Sequence, residues 1–444
     1  MTKEVDSLEI EIEDKVQKFL EKSKKKEIQV ISHFDTDGIT SAAIMIKTLK
    51  KLDKKFSVKI LKRIEEDTIK NLPRDKLIIF LDLASGSLNE LSVSGIEDIF
   101  IIDHHEIIQE IPKNVHIVNP ELNGKEKISS SGLTYLFCKK IDSKNKELAK
   151  LAILGMIGDL LESNIEKLNN EILKDGEVKR KRGLLIYPST RPLNRVLEYC
   201  SDPFIPGVTG NSEGVLGLLR EVNLSSNGKI KSLMELDESE MSRLVTAIML
   251  RNPEAKNKKI VGDIFLINFF GQLEDARELS ATINACSRLD DTGLALQFCM
   301  ESSSAKKKAE YLHAKYKQSL VSGLKFVSEM EKIQGNNFVI INAKNKIKDT
   351  MIGTIASILA NSSIYPEGTI ITTLAYYENK IKVSMRSVGE NQRNLREILN
   401  SIVEKVGGNV GGHDAAAGCM ILQEKEQEFI DLLKKSFEIE LIKV

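Results

Sequence analysis

Val30-Ile31-Ser32-His33-Phe34-Asp35-Thr36-Asp37-Gly38-Ile39-Thr40 begins as an apolar run, ends in one histidine and two aspartates, and passes through a glycine into an apolar helix pattern. Two carboxylates this close repel each other and raise each other's pKa unless something positive neutralises them. On an extended chain side chains repeat every two residues, so His33 and Asp35, or Asp35 and Asp37, share one side.

The surrounding sequence gives this stretch its place. From residue 26 to about 160, the β-branched runs KEIQVISHF, FSVKILKR, KLIIFLDLA, EDIFIIDHH and NVHIVNP read as strands. GITSAAIMIKTLKKL, SSSGLTYLFCKKI and ELAKLAILGMIGDL carry helical periodicity. Apolar strands alternating with helices predict an α/β domain, a doubly wound parallel sheet over residues 1–175. Ligands of such sheets bind beyond the carboxyl ends of the strands. Residues 176–255 read as a helical connector, with the basic Lys179-Arg180-Lys181-Arg182 and the loop-forming DPFIPGVTG. A smaller C-terminal α/β domain is expected over 256–444, interrupted at about 301–335 by a pair of helices.

Composition narrows the class. Hydrophobic residues make up 41% of the 444, and charged residues 29%, which fits a globular protein with an ample core. Lys+Arg and Asp+Glu both number 64, so bulk charge announces no nucleic-acid partner and any basic track must be local. No apolar run approaches the ~20 residues needed to span a bilayer. The N-terminal MTKEVDSLEIEIEDKVQKFLEKSKKKE reads as a charged amphipathic helix rather than a signal peptide, so a cytoplasmic protein is expected. The five cysteines are far apart without a CxxC pair, which suits reduced, buried thiols. No GxxxxGK[ST] occurs, which disfavours an ATP- or GTP-binding enzyme.

Four segments share one form, an apolar run ending in acid or histidine: HFDTDG (His33, Asp35, Asp37), FLDLA (Asp82), IIDHHE (Asp103, His104, His105) and MIGDLLE (Asp159). Each alone has a bland reading, as a helix cap, a turn former or a buried histidine. Their joint occurrence in chain order points to a metal centre. Imidazole with carboxylate suits Mn²⁺, Zn²⁺ or iron, and a carboxylate-rich set favours a harder ion such as Mn²⁺. Asp82, alone at its strand end, is suited to bridge two ions, and such a pair can drive in-line phosphoryl displacement. Of the adjacent histidines, one can ligate while the other faces the substrate. His116 and His313 read as ordinary structural histidines.

The four motifs resemble those of the DHH phosphoesterase superfamily, whose name is the Asp103-His104-His105 triplet. The C-terminal Gly411-Gly412-His413-Asp414-Ala415-Ala416-Ala417-Gly418 is similar to the glycine-rich signature of the DHH-associated domain, so the resemblance spans nearly the whole chain. The connector, ARELSATINACSRL and the insertion look most like the archaeal RecJ-like nucleases. The resemblance implies one metal held by His33, Asp35 and Asp82 and a second by Asp37, Asp82, His104 and Asp159. Mn²⁺ is the ion expected, with Mg²⁺ as the alternative. His105 would contact the scissile phosphate and Asp103 would orient the histidines.

At the far end, Arg386 closes the strand of VSMRSVG, and Gly411, Gly412 and His413 lie in the glycine-rich segment. Glycines let backbone amides approach a phosphate, and arginine offers it a planar fork. Packing alone would read the glycines as a tight strand-to-helix crossing. With a metal site, a phosphate-backbone clamp facing the metals is the better expectation. The resemblance adds Arg288 as a contact for a terminal phosphate. KRKR and the lysines of SSSAKKKAEY read as solvated faces, with a strand-binding track as the alternative. Few aromatics and no Trp argue for backbone contacts over base stacking.

The function expected is a metal-dependent exonuclease on single-stranded DNA, 5′→3′ by resemblance, with RNA as a further substrate, in DNA replication or repair. A narrow channel between two lobes would exclude duplex. The alternatives are a phosphodiesterase of oligonucleotides or cyclic dinucleotides, and a replisome component that binds GINS.

Overall fold

Leu8, Ile12, Val16 and Phe19 recur at helical spacing and are all buried, which makes α1 (Ser7–Lys22) a cover for the first sheet. In this computed structural model the described residues are 7–123, 126–163, 165–200, 203, 205–224, 230–251, 260–362, 364–389 and 393–439, without the side chains of Ser7, Glu66, His413, Glu438 and Ile439. Ser201, Asp202 and Phe204 of the DPFIPGVTG loop also lie outside the described residues.

The first sheet contains β1 (Ile28–His33), β2 (Phe56–Leu61), β3 (Leu77–Leu81), β4 (Ile99–Ile102) and β5 (Val115–Val118). All neighbours are parallel, in the order β2-β1-β3-β4-β5. Every residue of β3 and β4 is buried, as expected of strands covered on both faces. One face packs on α1, α2 (Thr36–Lys51), α5 (Ser130–Ile141) and α6 (Ala149–Gly158), and the other on α3 (Glu66–Lys70) and α4 (Leu88–Ser92). This is the doubly wound α/β sheet that the apolar runs predict.

The middle of the chain departs from the expected helical connector. After α7 (Lys167–Asp175), the basic KRKR lies not in a helical connector but at the start of strand β6 (Lys179–Leu184), where Lys179, Arg180 and Arg182 are solvated as expected and Lys181 is half-buried. β6 pairs antiparallel with β7 (Val261–Phe269), which pairs with β8 (Gln272–Asp275), forming a three-stranded sheet. Between them, α8 (Leu193–Glu198), α9 (Ser212–Glu221) and α10 (Glu238–Arg251) close a core of their own around Leu197, Leu218, Leu219 and Leu244.

Two assignments made from the sequence need correction. β7, β8, α11 (Ala276–Arg288) and α12 (Thr292–Cys299) belong with the first compact unit, which runs to His313, and not with the C-terminal domain. The reason is burial: Phe265, Phe269, Ile283 and Phe298 complete the core that holds α2 and α6. The expected helical pair is one continuous helix, α13 (Ser303–Glu329), because no proline interrupts its 27 residues and the single Gly323 is tolerated.

The second unit begins at Ala314. Its mixed sheet comprises β9 (Ile333–Gly335), β10 (Phe338–Asn342), β11 (Ile370–Tyr377), β12 (Lys380–Ser387), β13 (Asn409–His413) and β14 (Ala416–Leu422), in the order β13-β14-β12-β11-β10-β9. Only β10 and β11 pair in parallel. Among the described residues it also holds α13 from Ala314 onward, with α14 (Asp349–Ala360), α15 (Leu395–Val406) and α16 (Glu426–Ile439). The glycine-rich segment forms a β-hairpin of β13 and β14 rather than a strand-to-helix crossing.

Lys181 shows why part of the basic stretch is structural. Its ammonium donates to the carbonyls of Leu233, Met234 and Leu236 at 3.2, 2.8 and 2.6 Å. Arg182 beside it is exposed. Lys181→Ala is therefore expected to cost about 2 kcal/mol in urea unfolding, against less than about 0.5 for Arg182→Ala.

Candidate metal centre

The site grows from strand ends. From β1 the chain leaves to β2 on one side and later returns to β3 on the other, so the carboxyl ends of β1 and β3 flank the crevice where such sheets bind ligands. β1 ends in His33. β3 runs into Asp82, whose φ of 58° lies in the left-handed region that aspartate tolerates better than most residues. The Asp82 N–H donates to the Ile102 carbonyl at 2.9 Å, fixing where its side chain emerges. β4 runs directly into Asp103, His104 and His105.

The two-residue alternation expected through Asp37 stops at His33, because the helix starts early. Asp35 is the N-cap of α2 and accepts the Gly38 N–H at 3.0 Å, while Asp37 already lies in the first helical turn. Asp37 accepts the Ser130 and Ser131 N–H groups at 2.7 and 3.0 Å, so the start of α5 holds both its oxygens. Gly155 lets α6 come close: a methyl there would overlap the Ser131 hydroxyl, the Asp37 carboxylate and the Thr40 hydroxyl. Asp159 caps the end of that helix.

These side chains converge. His33 Nδ1 lies 2.9 Å from Asp35 Oδ2 and 3.3 Å from Asp82 Oδ2. His104 Nε2 lies 3.6 Å from Asp82 Oδ1 and 3.5 Å from Asp159 Oδ2. Donor atoms of His33, Asp35 and Asp82 fall within 4.8 Å of one another, as do those of Asp37, His104 and Asp159, and of Asp82, His104 and His105. Asp82 is 1% exposed, and its Oδ1, like Asp159 Oδ2, is buried without a hydrogen-bond donor. Burial, reinforced by the charges of Asp35 and Asp37, pushes Asp82 well above the usual carboxylate range. Burial and the charges of Asp37 and Asp82 do the same to Asp159. Burial would also raise Asp35, but the charge and hydrogen bond of His33 hold it below that range. Buried carboxylate oxygens without donors are costly unless a cation meets them, and this oxygen-rich set with two imidazoles suits a divalent ion.

Asp103 acts on the two histidines differently. Its Oδ1 accepts His105 Nδ1–H at 2.7 Å and the His104 N–H at 2.8 Å, and its Oδ2 accepts the Ser85 N–H at 3.1 Å. It therefore orients the His105 ring but only the backbone of His104. Burial opposes protonation of His105, yet Asp103 raises its pKa to about 9 while the ring stays 48% exposed.

The other expected contact residues are held within their own units. Arg288 ends α11 in the same unit, its Nε donating to Asn284 Oδ1 at 3.1 Å. Arg386 lies on β12, donating to the Ser357 hydroxyl at 3.0 Å and the Met385 carbonyl at 2.8 Å. Gly411 and Gly412 lie on β13, and Gly412 has a φ of 113°, where a side chain would be strained. These three belong to the second unit. The supports at Ser130, Ser131 and Gly155 were not anticipated. The SSSG start of α5 offered the signal, since serines before an apolar helix mark an N-terminus.

Residues 27–156 match the DHH family N-terminal domain, 186–260 the DHH-CID domain and 335–438 the DHHA1 domain. The chain is 28% identical over 419 residues to the uncharacterized protein MJ0831 of Methanocaldococcus jannaschii, covering 91% of each. It is 28% identical over 155 residues to the single-stranded-DNA-specific exonuclease RecJ of Bacillus subtilis, 31% of this chain and 20% of that one. Among solved structures, RecJ of Thermus thermophilus with Mn²⁺ aligns with a TM-score of 0.61 and 18% identity, over 97% of this chain and 55% of that one. CDC45 of Entamoeba histolytica aligns with a TM-score of 0.66 and 12% identity, over 97% and 99%. The chain thus holds DHH, DHH-CID and DHHA1 domains in a RecJ-like DHH fold, and it is a homologue of MJ0831. Together the matches support a phosphoesterase of the DHH class.

Without metal, the raised Asp82, Asp159 and His105 bind more protons folded than unfolded above pH 5, so stability falls as pH rises from 5 toward 9. Differential scanning fluorimetry of EDTA-treated protein is expected to show that fall, and a smaller one in Asp82→Asn. The same variant, relieved of a buried charge, is expected to melt about 3 °C higher without metal and to lose the stabilisation that Mn²⁺ gives the native protein. Equal Mn²⁺ stabilisation of both proteins would count against Asp82 as a ligand.

Proposed function

We propose that this protein is a metal-dependent exonuclease that hydrolyses phosphodiester bonds of single-stranded DNA, from the 5′ end, with RNA as a further substrate. One observation carries the reading: two sets of donors, His33-Asp35-Asp82 and Asp37-His104-Asp159, meet at a buried carboxylate with an oxygen lacking any donor. Asp82 would serve both sets, and Mn²⁺, or Mg²⁺ in its place, would be the ion held. Such cations supply an activated water and positive charge for the oxygens of an in-line displacement.

The chain's own groups do the rest. Asp103 fixes His105 through Nδ1, which leaves the Nε2–H free to donate to a phosphate oxygen as charge builds there. With its pKa raised to about 9, His105 carries that proton at neutral pH. Arg288 would hold a terminal phosphate, while Arg386 and the backbone of Gly411 and Gly412, with His413, would hold backbone phosphates. Contacts of this kind carry no sequence information, so the substrate range is broad. The DHH domain and the local similarity to a single-stranded-DNA-specific exonuclease support this substrate. A replisome role through GINS is the second reading, favoured by the likeness to CDC45 along the chain. A complete donor set makes it an addition to catalysis rather than a replacement.

End-labelled single-stranded DNA and RNA, incubated with Mn²⁺, should lose nucleotides from the 5′ end, with EDTA abolishing the reaction. His105→Ala should lower kcat by about 10²–10³ while keeping the Mn²⁺-induced rise in Tm. Full activity of that variant, or cleavage in EDTA, would contradict the mechanism. Cleavage of dinucleotides alone would move the substrate to short oligonucleotides.

A further inference from the structure

Asp159 is followed by a residue that breaks two local rules at once. Leu160 has a φ of 59° and is 73% exposed. It sits just past the end of α6, where helices commonly finish on a glycine because the left-handed conformation crowds any Cβ. Among the described residues, the large apolar side chains at positive φ are Leu160 and Phe270. Phe270 packs on Phe298 with ring centroids 5.2 Å apart, whereas most of the Leu160 side chain faces solvent.

Two hydrogen bonds close the turn that presents Leu160. Its N–H donates to the Ile157 carbonyl at 3.1 Å, and its carbonyl accepts the Ser163 hydroxyl at 3.4 Å. Two residues on, Glu162 pairs with Arg277 of α11 at 3.5 Å, both side chains mostly covered. α11 is in turn fixed to the start of α2, where the Thr36 hydroxyl donates to the Ser280 carbonyl at 3.1 Å. Strain that surrounding structure imposes on one residue beside a site is a reason to ask what that residue meets in function.

We propose that Leu160 packs against the base of the nucleotide whose phosphate lies at the metal centre, a contact that raises affinity without reading base identity. This rests on the nuclease reading above. An aliphatic face beside Asp159 has no use for a phosphate or a metal ion, and the apolar surface that a bound strand brings there is its base. The contact forms with the ground state and persists in the transition state, so it acts on KM and leaves kcat nearly untouched. Leucine shape complements any base, which fits a strand bound through its phosphates.

The test compares the native protein with Leu160→Gly, which removes the side chain and suits the backbone, and with Leu160→Asn, which also tolerates φ near 60°. Both should keep the native Tm or exceed it. On a Mn²⁺-dependent single-stranded oligonucleotide assay, KM should rise about tenfold with kcat within about twofold. On the same strand with abasic residues beside the cleaved end, native protein and variants should have equal KM. An equal loss on both strands, or no loss on the base-bearing one, overturns the role of Leu160 alone. Native protein that cleaves neither strand overturns the nuclease reading and this inference with it.

Discussion

A carboxylate buried at the end of β3 sets the terms for everything around it. Asp82 is 1% exposed, faces the charges of Asp35 and Asp37, and has an oxygen that no donor reaches. Folding the chain without a counter-charge must protonate this group or bear the repulsion. The neighbouring geometry is arranged around that demand. The Asp82 backbone is held in a left-handed conformation by a bond to β4, Asp37 is clamped by the start of α5, and Asp159 is delivered by the end of α6. Gly155 is the position where this closeness fixes the residue type, since any side chain there would occupy the space of Asp37. A centre so costly in the absence of positive charge suits a divalent cation.

The first half of the chain was legible because its signals are local. Continuous apolar runs for β3 and β4, and helical periodicity for α2, α5 and α6, follow from burial on both faces of a parallel sheet, and the polar residues stand where those runs stop. The centre was legible as a set of residue types at strand ends. Its supports were not, because Asp37 meets Ser130 and Ser131 across more than ninety positions of sequence, a pairing that only the packing of α2 against α5 creates. The alternation read from His33 to Asp37 failed for a related reason: the N-cap preference of Asp35 ends the strand before that alternation can run.

The middle and the join between units were harder. KRKR reads as a solvated face inside a helical connector, yet the ladder with β7 makes it a strand, and three carbonyls take up the Lys181 ammonium. β7 to α12 reads as the start of a new α/β pattern, but Phe265, Ile283 and Phe298 are claimed by a core most of whose other members lie between Leu8 and Leu173. Local periodicity says what an element is and not which core receives it. The long helix α13 shows the opposite case, where strong local propensity without a proline should have outweighed the expectation of a pair, Gly323 notwithstanding.

If Asp82 is shared between two cation sites, anomalous diffraction from crystals grown with Mn²⁺ will show it. Two anomalous peaks per chain are expected, one among His33, Asp35 and Asp82 and the other among Asp37, His104 and Asp159, with the Asp82 carboxylate between them. A single peak away from Asp82, or no peak in either set, would contradict the shared site.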